Sequence, residues 1–422
     1  MVLPNVALIP FYGRWDDMYA LVGTPAESAM WEVMREQLEA DLKAVEEATP
    51  EHPADISLLG KWLKSCNSSS KETCALGRLT YRNLGYKSEA AYRKDLAKLR
   101  KAIRIVEADM SARRWSDIEY DKLPSRAGLI YRGAFRKHDQ ERYEAFIEAV
   151  NSGEKKINAA MNTPQDIVHA YMGRYKIRRF SGDFPVDETL EAMWKNLPDF
   201  VQSDENILCL VDVSHSMYGM YGRPIEVSTG LGMYFAQKNR GDFHNLFLTF
   251  ETEPKFVQLR DHVSLAQNLR LTMDAPWGGS TDLNKACREI LRFASDHNVP
   301  NEDMPTRLII ISDMEIDEAS HPSICEDEDV NTFDAKDVLH IDELREMYAE
   351  HGYTVPQAIY WNVCSWENHF HTRSDIPGTM LASGSSPAVF QAIMAIEDID
   401  ITPLDAMLEV LNGERYAPIT VK

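Results

Sequence analysis

Cysteine is scarce and unpatterned in this chain. The six cysteines among 422 residues (Cys66, Cys74, Cys209, Cys287, Cys325 and Cys364) show no C-x-x-C spacing. That argues against the common zinc modules and predicts free thiols in a reducing, cytoplasmic compartment. Cys209 and Cys364 lie in apolar, strand-like runs and read as core residues. No apolar run approaches the roughly 20 residues that cross a bilayer. The opening MVLPNVALIPFYGRW is apolar but carries two prolines and no basic lead, unlike a signal peptide. There is no P-loop, no H-E-x-x-H and no G-x-S-x-G. These absences favour a binding protein over an enzyme. Basic residues run short late in the chain: residues 1–200 hold 30 Lys+Arg and 30 Asp+Glu, residues 201–422 hold 15 and 36, so the whole net charge of −21 lies in the second part. Such asymmetry predicts two domains with different partners, the acidic one repelling nucleic acid and attracting cations or basic surfaces.

Strand signals are also missing before residue 200. ESAMWEVMREQLEADLKAVEEA, SEAAYRKDLAKLRKAIRIVEADM and ERYEAFIEAVNSG repeat apolar residues at helical spacing, with Ser88 placed to cap one helix and Gly153 to end another. The second part alternates. NILCLVD, the pair NLFLTFE and PKFVQL, RLIIISD and PQAIYWNV read as strands; IEVSTGLGMYFAQKN, SLAQNLRL, DLNKACREILRFASDH, DVLHIDELREMYAEHG and SPAVFQAIMAI read as helices. The two close strands suit a hairpin, and the rest suits a mostly parallel sheet covered on both faces. The expected architecture is therefore an all-helical domain over residues 1–198, a doubly wound α/β domain over 203–412 and a tail over 413–422.

Chemistry concentrates at the predicted strand ends. DVSHS at 212–216 has the form D-x-S-x-S, WGGSTD ends at Asp282 in a glycine-rich loop opening a helix, and ISDMEID places Asp313 at a strand end. In doubly wound sheets these ends share one rim, where ligands bind. Carboxylate and hydroxyl oxygens suit a hard divalent cation. Asp212, Ser214 and His215 include the residue types of a hydrolytic triad, but chain neighbours rarely point at one another. The plainer alternative is that Asp212 and the serines only cap a helix.

These motifs, in this order, resemble the metal-ion-dependent adhesion site of von Willebrand factor A domains. The resemblance implies a Rossmann-like domain with a metal held by Asp212, Ser214, Ser216, Thr281 and Asp313. It further implies one open coordination position that takes a carboxylate from a protein partner. Magnesium is the ion implied, with manganese and calcium as alternatives. His215 stands where a small residue is usual. LLGKWLKSCNSSSKET, YRKDLAKLRKAIRIVEADM and IEYDKLPSRAGLIYRGAFRKHD resemble an uncharacterised family of plants, large DNA viruses and phages, which joins a TROVE-like (HEAT-like) helical region to a von Willebrand A domain. Its better-known relatives, the Ro ribonucleoproteins, bind RNA through the helical part.

Residues 78–104 hold nine basic side chains against two acidic ones, and Arg93, Lys94, Lys98, Lys101 and Arg104 recur at helical spacings. Such a stripe can follow a phosphate backbone, so these five are candidates for RNA contact. A solvated helix face is the plainer alternative. Arg113, Arg114 and RYKIRRF (174–180) add charge. His369 and His371, and the acidic stretch 325–337, read as exposed loops. Two functions remain: a non-enzymatic, metal-dependent binding scaffold with RNA on its helical part, or a structural or assembly protein, such as a virus-particle component, using the same surfaces between subunits.

Overall fold

The computed structural model describes residues 3–49, 52, 54–103, 105–173, 184–199, 201, 206–214, 216–250, 253–274, 283–314, 344–364, 378–384, 393 and 403–419. Two compact units emerge: residues 1–119 with 407–422, and residues 120–406. Among the described residues every strand follows residue 206, as the sequence pattern predicts.

The first unit is helical. Its longest helices are α1 (Glu27–Glu47), α2 (Lys71–Asn83) and α3 (Glu89–Ala102). Ser70 and Ser88 cap α2 and α3 by accepting the N–H of Thr73 and Ala91. Met30, Trp31, Met34 and Leu38 of α1 pack with Leu59, Leu63, Tyr92, Leu96 and Leu99. The polar connector 57–66 is satisfied from below. Asp41 accepts the N–H and hydroxyl of Ser57 at 3.0 and 2.6 Å. Arg100 donates to Gly60 O, Ser65 Oγ and Leu63 O at 3.0–3.1 Å. Near the chain ends, Tyr12 stacks on Tyr416 with centroids 5.2 Å apart.

The second unit contains one six-stranded sheet: β1 (Ile207–Asp212), β2 (Leu246–Phe250), β3 (Phe256–Gln258), β4 (Arg307–Ser312), β5 (Gln357–Asn362) and β6 (Thr379–Ser383). The order is β3-β2-β1-β4-β5-β6. Only the β2–β3 hairpin is antiparallel; the other pairings are parallel. This is the doubly wound order, in which the direction of strand addition reverses between β1 and β4 while the strands stay parallel. β6 was not foreseen: it is short, only partly apolar and follows a residue stretch without strand signals. The helix expected at SPAVFQAIMAI lies outside the described residues except for Ile393.

Helices cover both faces. Leu208, Leu210, Leu308 and Ile310 meet Leu283, Ala286, Cys287, Ile290 and Ala294 of the helix Leu283–His297. On the opposite face lies the helix Gly219–Lys238, and two glycines set how closely it approaches its neighbours. A Cβ on Gly232 would stand 2.3 Å from Val211 Cγ2, and one on Gly230 would stand 3.0 Å from the Gln165 main chain. The first glycine lets the helix press on β1, the second lets the helix Pro164–Met172 press on it from outside.

That second contact belongs to a larger weld. The described residues between 120 and 198 are largely helical, yet they pack with the helices that cover the sheet. Tyr120, Phe135, Tyr143 and Phe146 form an aromatic cluster with centroids 4.9–5.7 Å apart for the pairs Tyr120 makes. The helix Glu188–Lys195 then reaches the α/β part. Glu191, 6% exposed, accepts the Leu265 and Ala266 N–H groups at 2.6 and 3.1 Å, and the Tyr171 hydroxyl at 2.7 Å. Trp194 Nε1 donates to Gln237 at 2.7 Å, and Tyr234 donates to Pro198 O at 2.6 Å. The boundary near residue 200 thus marks where helix gives way to sheet; the packing boundary lies at 119/120.

A fragment covering 120–406 is expected to unfold as one cooperative transition in urea, whereas one starting at 203 should bind a hydrophobic dye and lack a sharp transition. Glu191→Ala should destabilise the intact chain by about 3 kcal/mol, because it strands a buried helix N-terminus and a tyrosine hydroxyl. A loss under about 0.5 kcal/mol would refute the role assigned to Glu191.

Candidate functional site

The strand order reverses between β1 and β4. Doubly wound sheets bind ligands beyond the carboxyl ends of the strands at such a point, and the sequence puts short oxygen-bearing side chains there. Val211 pairs with Ile311, so Asp212 and Ser312 follow as neighbours on the two central strands. Asp212 is fully buried. Its Oδ1 accepts the Ser214 N–H at 2.8 Å and its Oδ2 accepts the Ser312 hydroxyl. The Ser214 and Ser216 hydroxyls lie 2.9 Å apart. Ser228, on the covering helix, donates to the Asp212 carbonyl at 3.0 Å. Asp313, 2% exposed, comes next after Ser312. Met314 follows with φ 64° and is itself buried. A left-handed backbone at a non-glycine residue costs on the order of 1 kcal/mol, and such strain gathers at functional turns.

The site brings together four of the five predicted ligands: Asp212, Ser214, Ser216 and Asp313. Thr281 and His215 lie outside the described residues, as do His369, His371 and the stretch 325–337. Ser312 was not singled out from sequence. Its signal was present, because β1, β4 and β5 end alike. Asp212, Ser312 and Asn362 each accept the N–H two residues on, from Ser214, Met314 and Cys364, at 2.8, 3.0 and 3.0 Å. This self-capping turn is what short polar side chains do best.

Burial pushes the Asp212 carboxyl up to about 7, and the neighbouring Asp313 charge pushes in the same direction; the hydrogen bonds from Ser312 and Ser214 pull it back. An isolated carboxylate in such a place is costly, and a cation would offset the cost. Among the described residues no group of three or more His, Cys, Asp or Glu converges as a metal cluster. The donors here are instead two carboxylates and two hydroxyls, all oxygen. That set fits a magnesium-like ion, which takes few protein carboxylates and retains water, and does not fit a soft metal.

The basic stripe resolves unevenly. Tyr92, Leu96 and Leu99 face the core of the first unit, while Arg93, Lys94 and Lys101 face outward. Lys98 is engaged by Asp95 at 3.2 Å and Glu46 at 3.9 Å. Arg100 is spent on the 60–65 connector. Arg114 is paired with Asp109 at 2.6 Å. Arg104 and the segment 174–180 lie outside the described residues. Exposed Arg78 and Arg82 of α2 extend the basic surface. No helix among the described residues is long and apolar enough to cross a membrane.

Comparison with known proteins agrees with a two-part chain. Residues 206–414 match a domain of unknown function (DUF7788), and residues 29–205 match another (DUF2828). The chain is similar to the uncharacterized protein L728 of Acanthamoeba polyphaga mimivirus, 25% identical over 98% of this chain and 73% of that protein. Among solved structures it is similar to the Ro (RSR) protein of Deinococcus radiodurans, at 15% identity and a TM-score of 0.38, over 88% of this chain and 84% of that one.

In metal-free protein the buried charge sets a testable sign. The acid is raised from its ordinary 3.8 to about 7, so the folded state holds this proton more tightly than the unfolded chain. Below about pH 4 both states carry it and no penalty exists; the penalty grows to about 4 kcal/mol as pH rises past 7. Asp212→Asn should therefore raise urea stability at pH 8 in chelator, with the gain vanishing toward pH 4. A variant less stable than wild type at pH 8 would contradict this.

Proposed function

We propose that the protein is a non-enzymatic binding scaffold whose α/β domain grips an acidic group of a protein partner through a divalent cation. One observation carries the reading. At the sheet's topological switch point, a fully buried Asp212 carboxylate, the neighbouring Asp313 and the paired Ser214 and Ser216 hydroxyls make an all-oxygen donor set. A bound magnesium ion would supply an open position for a partner carboxylate. The protein's own part is to hold Asp212 rigid and out of water and to present the two hydroxyls at the rim. The motif order in the sequence, with its resemblance to von Willebrand A domains, points the same way. Thr281 would be the fifth ligand.

Isothermal titration calorimetry of the full chain with magnesium should give one saturable site. Asp212→Ala and Asp313→Ala should abolish its heat while the far-ultraviolet circular dichroism is kept. Equal binding by wild type and both variants, or none by wild type, would overturn the reading.

The exposed Arg93, Lys94 and Lys101 favour a second activity on the helical unit, contact with RNA through its phosphates. Changing all three to Glu should reduce retention of a single-stranded RNA on a filter at least tenfold, and the wild-type affinity should fall with salt. Unchanged retention would leave the stripe as a solvated face. If RNA fails, the same surfaces suit a subunit interface in an assembly.

A further inference from the structure

We infer that Ser312 is a positioning residue for the proposed cation site, acting through Asp212 and not as a ligand. This rests on the metal-binding reading above and adds to it a residue outside the five implied ligands. Asp212 has two carboxylate oxygens and two holders from different segments. The Ser214 N–H fixes Oδ1 from the loop after β1, and the Ser312 hydroxyl fixes Oδ2 from the end of β4. Together they set the plane of the carboxylate; either alone leaves it free to turn.

Ser312 is itself held. It is fully buried, its main chain pairs with Asn362 of β5, and its oxygen accepts the Met314 N–H at 3.0 Å. A hydroxyl has one hydrogen to give, and here that hydrogen is given to Asp212. The Met314 bond fixes the hydroxyl's position and closes the turn that carries Asp313. One side chain thus ties the first carboxylate of the site to the segment bearing the second. The left-handed backbone at buried Met314 shows that the surrounding core holds this turn in a conformation a non-glycine residue disfavours.

Hydrogen bonds to a ligating carboxylate commonly change metal affinity by about ten- to hundredfold when removed. Ser312→Ala should therefore weaken magnesium binding by the full chain at least tenfold in calorimetry. Ser312→Thr keeps the hydroxyl and should stay within about threefold of wild type. Ser228→Ala is the control, since Ser228 is equally buried and reaches Asp212 at its carbonyl and not at its carboxylate, its other partner being the Ile225 carbonyl; it too should stay within threefold. Melting in chelator, followed by circular dichroism, reads folding apart from affinity, and Thr carries the test if the Ala variant does not fold. Wild-type binding with an unchanged Ser312→Ala affinity would overturn the positioning role and leave the metal site standing. A Thr variant as weak as the Ala variant, or equal losses in Ser312→Ala and Ser228→Ala, would also overturn it. No magnesium binding by wild type would overturn both.

Discussion

A carboxylate held out of water at the end of the central strand is the constraint around which the α/β unit is arranged. Asp212 is buried because the strand delivering it is flanked by β2 and β4 and covered on both faces. Each neighbour contributes something to keep it there: an N–H from its own loop, a hydroxyl from β4, and a hydroxyl from the covering helix to its carbonyl. That helix can lie so close only because Gly232 has no side chain to meet Val211. Neutral hydrogen bonds soften the burial of a charge and do not cancel it, which is why the carboxyl remains shifted upward and why a hard cation is the fitting complement.

The same helix explains how a helical segment came to be part of a sheet domain. Gly230 admits the helix Pro164–Met172 on its outer side. Buried Glu191 then supplies the anion that the N-terminus of the helix Leu265–Met273 wants, where two N–H groups converge on it. A second buried ionic feature, Asp187 between Arg132 and Arg136 at 3.0 Å each, anchors the start of the Glu191 helix. These polar joints lie where the helices would otherwise meet through apolar contacts alone. They fix which face is presented, as buried polar groups do when fully satisfied.

Much of this was legible in sequence, and the reasons are physical. Apolar runs such as NILCLVD and RLIIISD can only be central strands, and strands ending in aspartate place their carboxylates on one rim whatever the loops do. Ser88 and Gly153 behave as their local chemistry dictates: Ser88 caps a helix, and Gly153 takes φ 81° just past one. The packing of residues 120–198 was not legible, because amphipathic helices declare an apolar face but not its partner. Glu191 reads as an ordinary surface charge until its distant donors are known. Arg100 shows the converse: within a basic stripe it looks like its neighbours, yet it is consumed in holding the 60–65 connector, while Arg93, Lys94 and Lys101 remain outside. Charge counts cannot separate a structural arginine from a free one. Ser312 escaped notice because a serine before an aspartate is common; its meaning depends on the strand register that sets it beside Asp212.

The central claim is that the rim of β1 and β4 holds a divalent cation. Anomalous diffraction from manganese-soaked crystals of the full chain tests it most directly. The account predicts one strong peak against the Ser214 and Ser216 hydroxyls and between the Asp212 and Asp313 carboxylates. A well-ordered rim with no peak there, or manganese bound only at other surfaces, would contradict it.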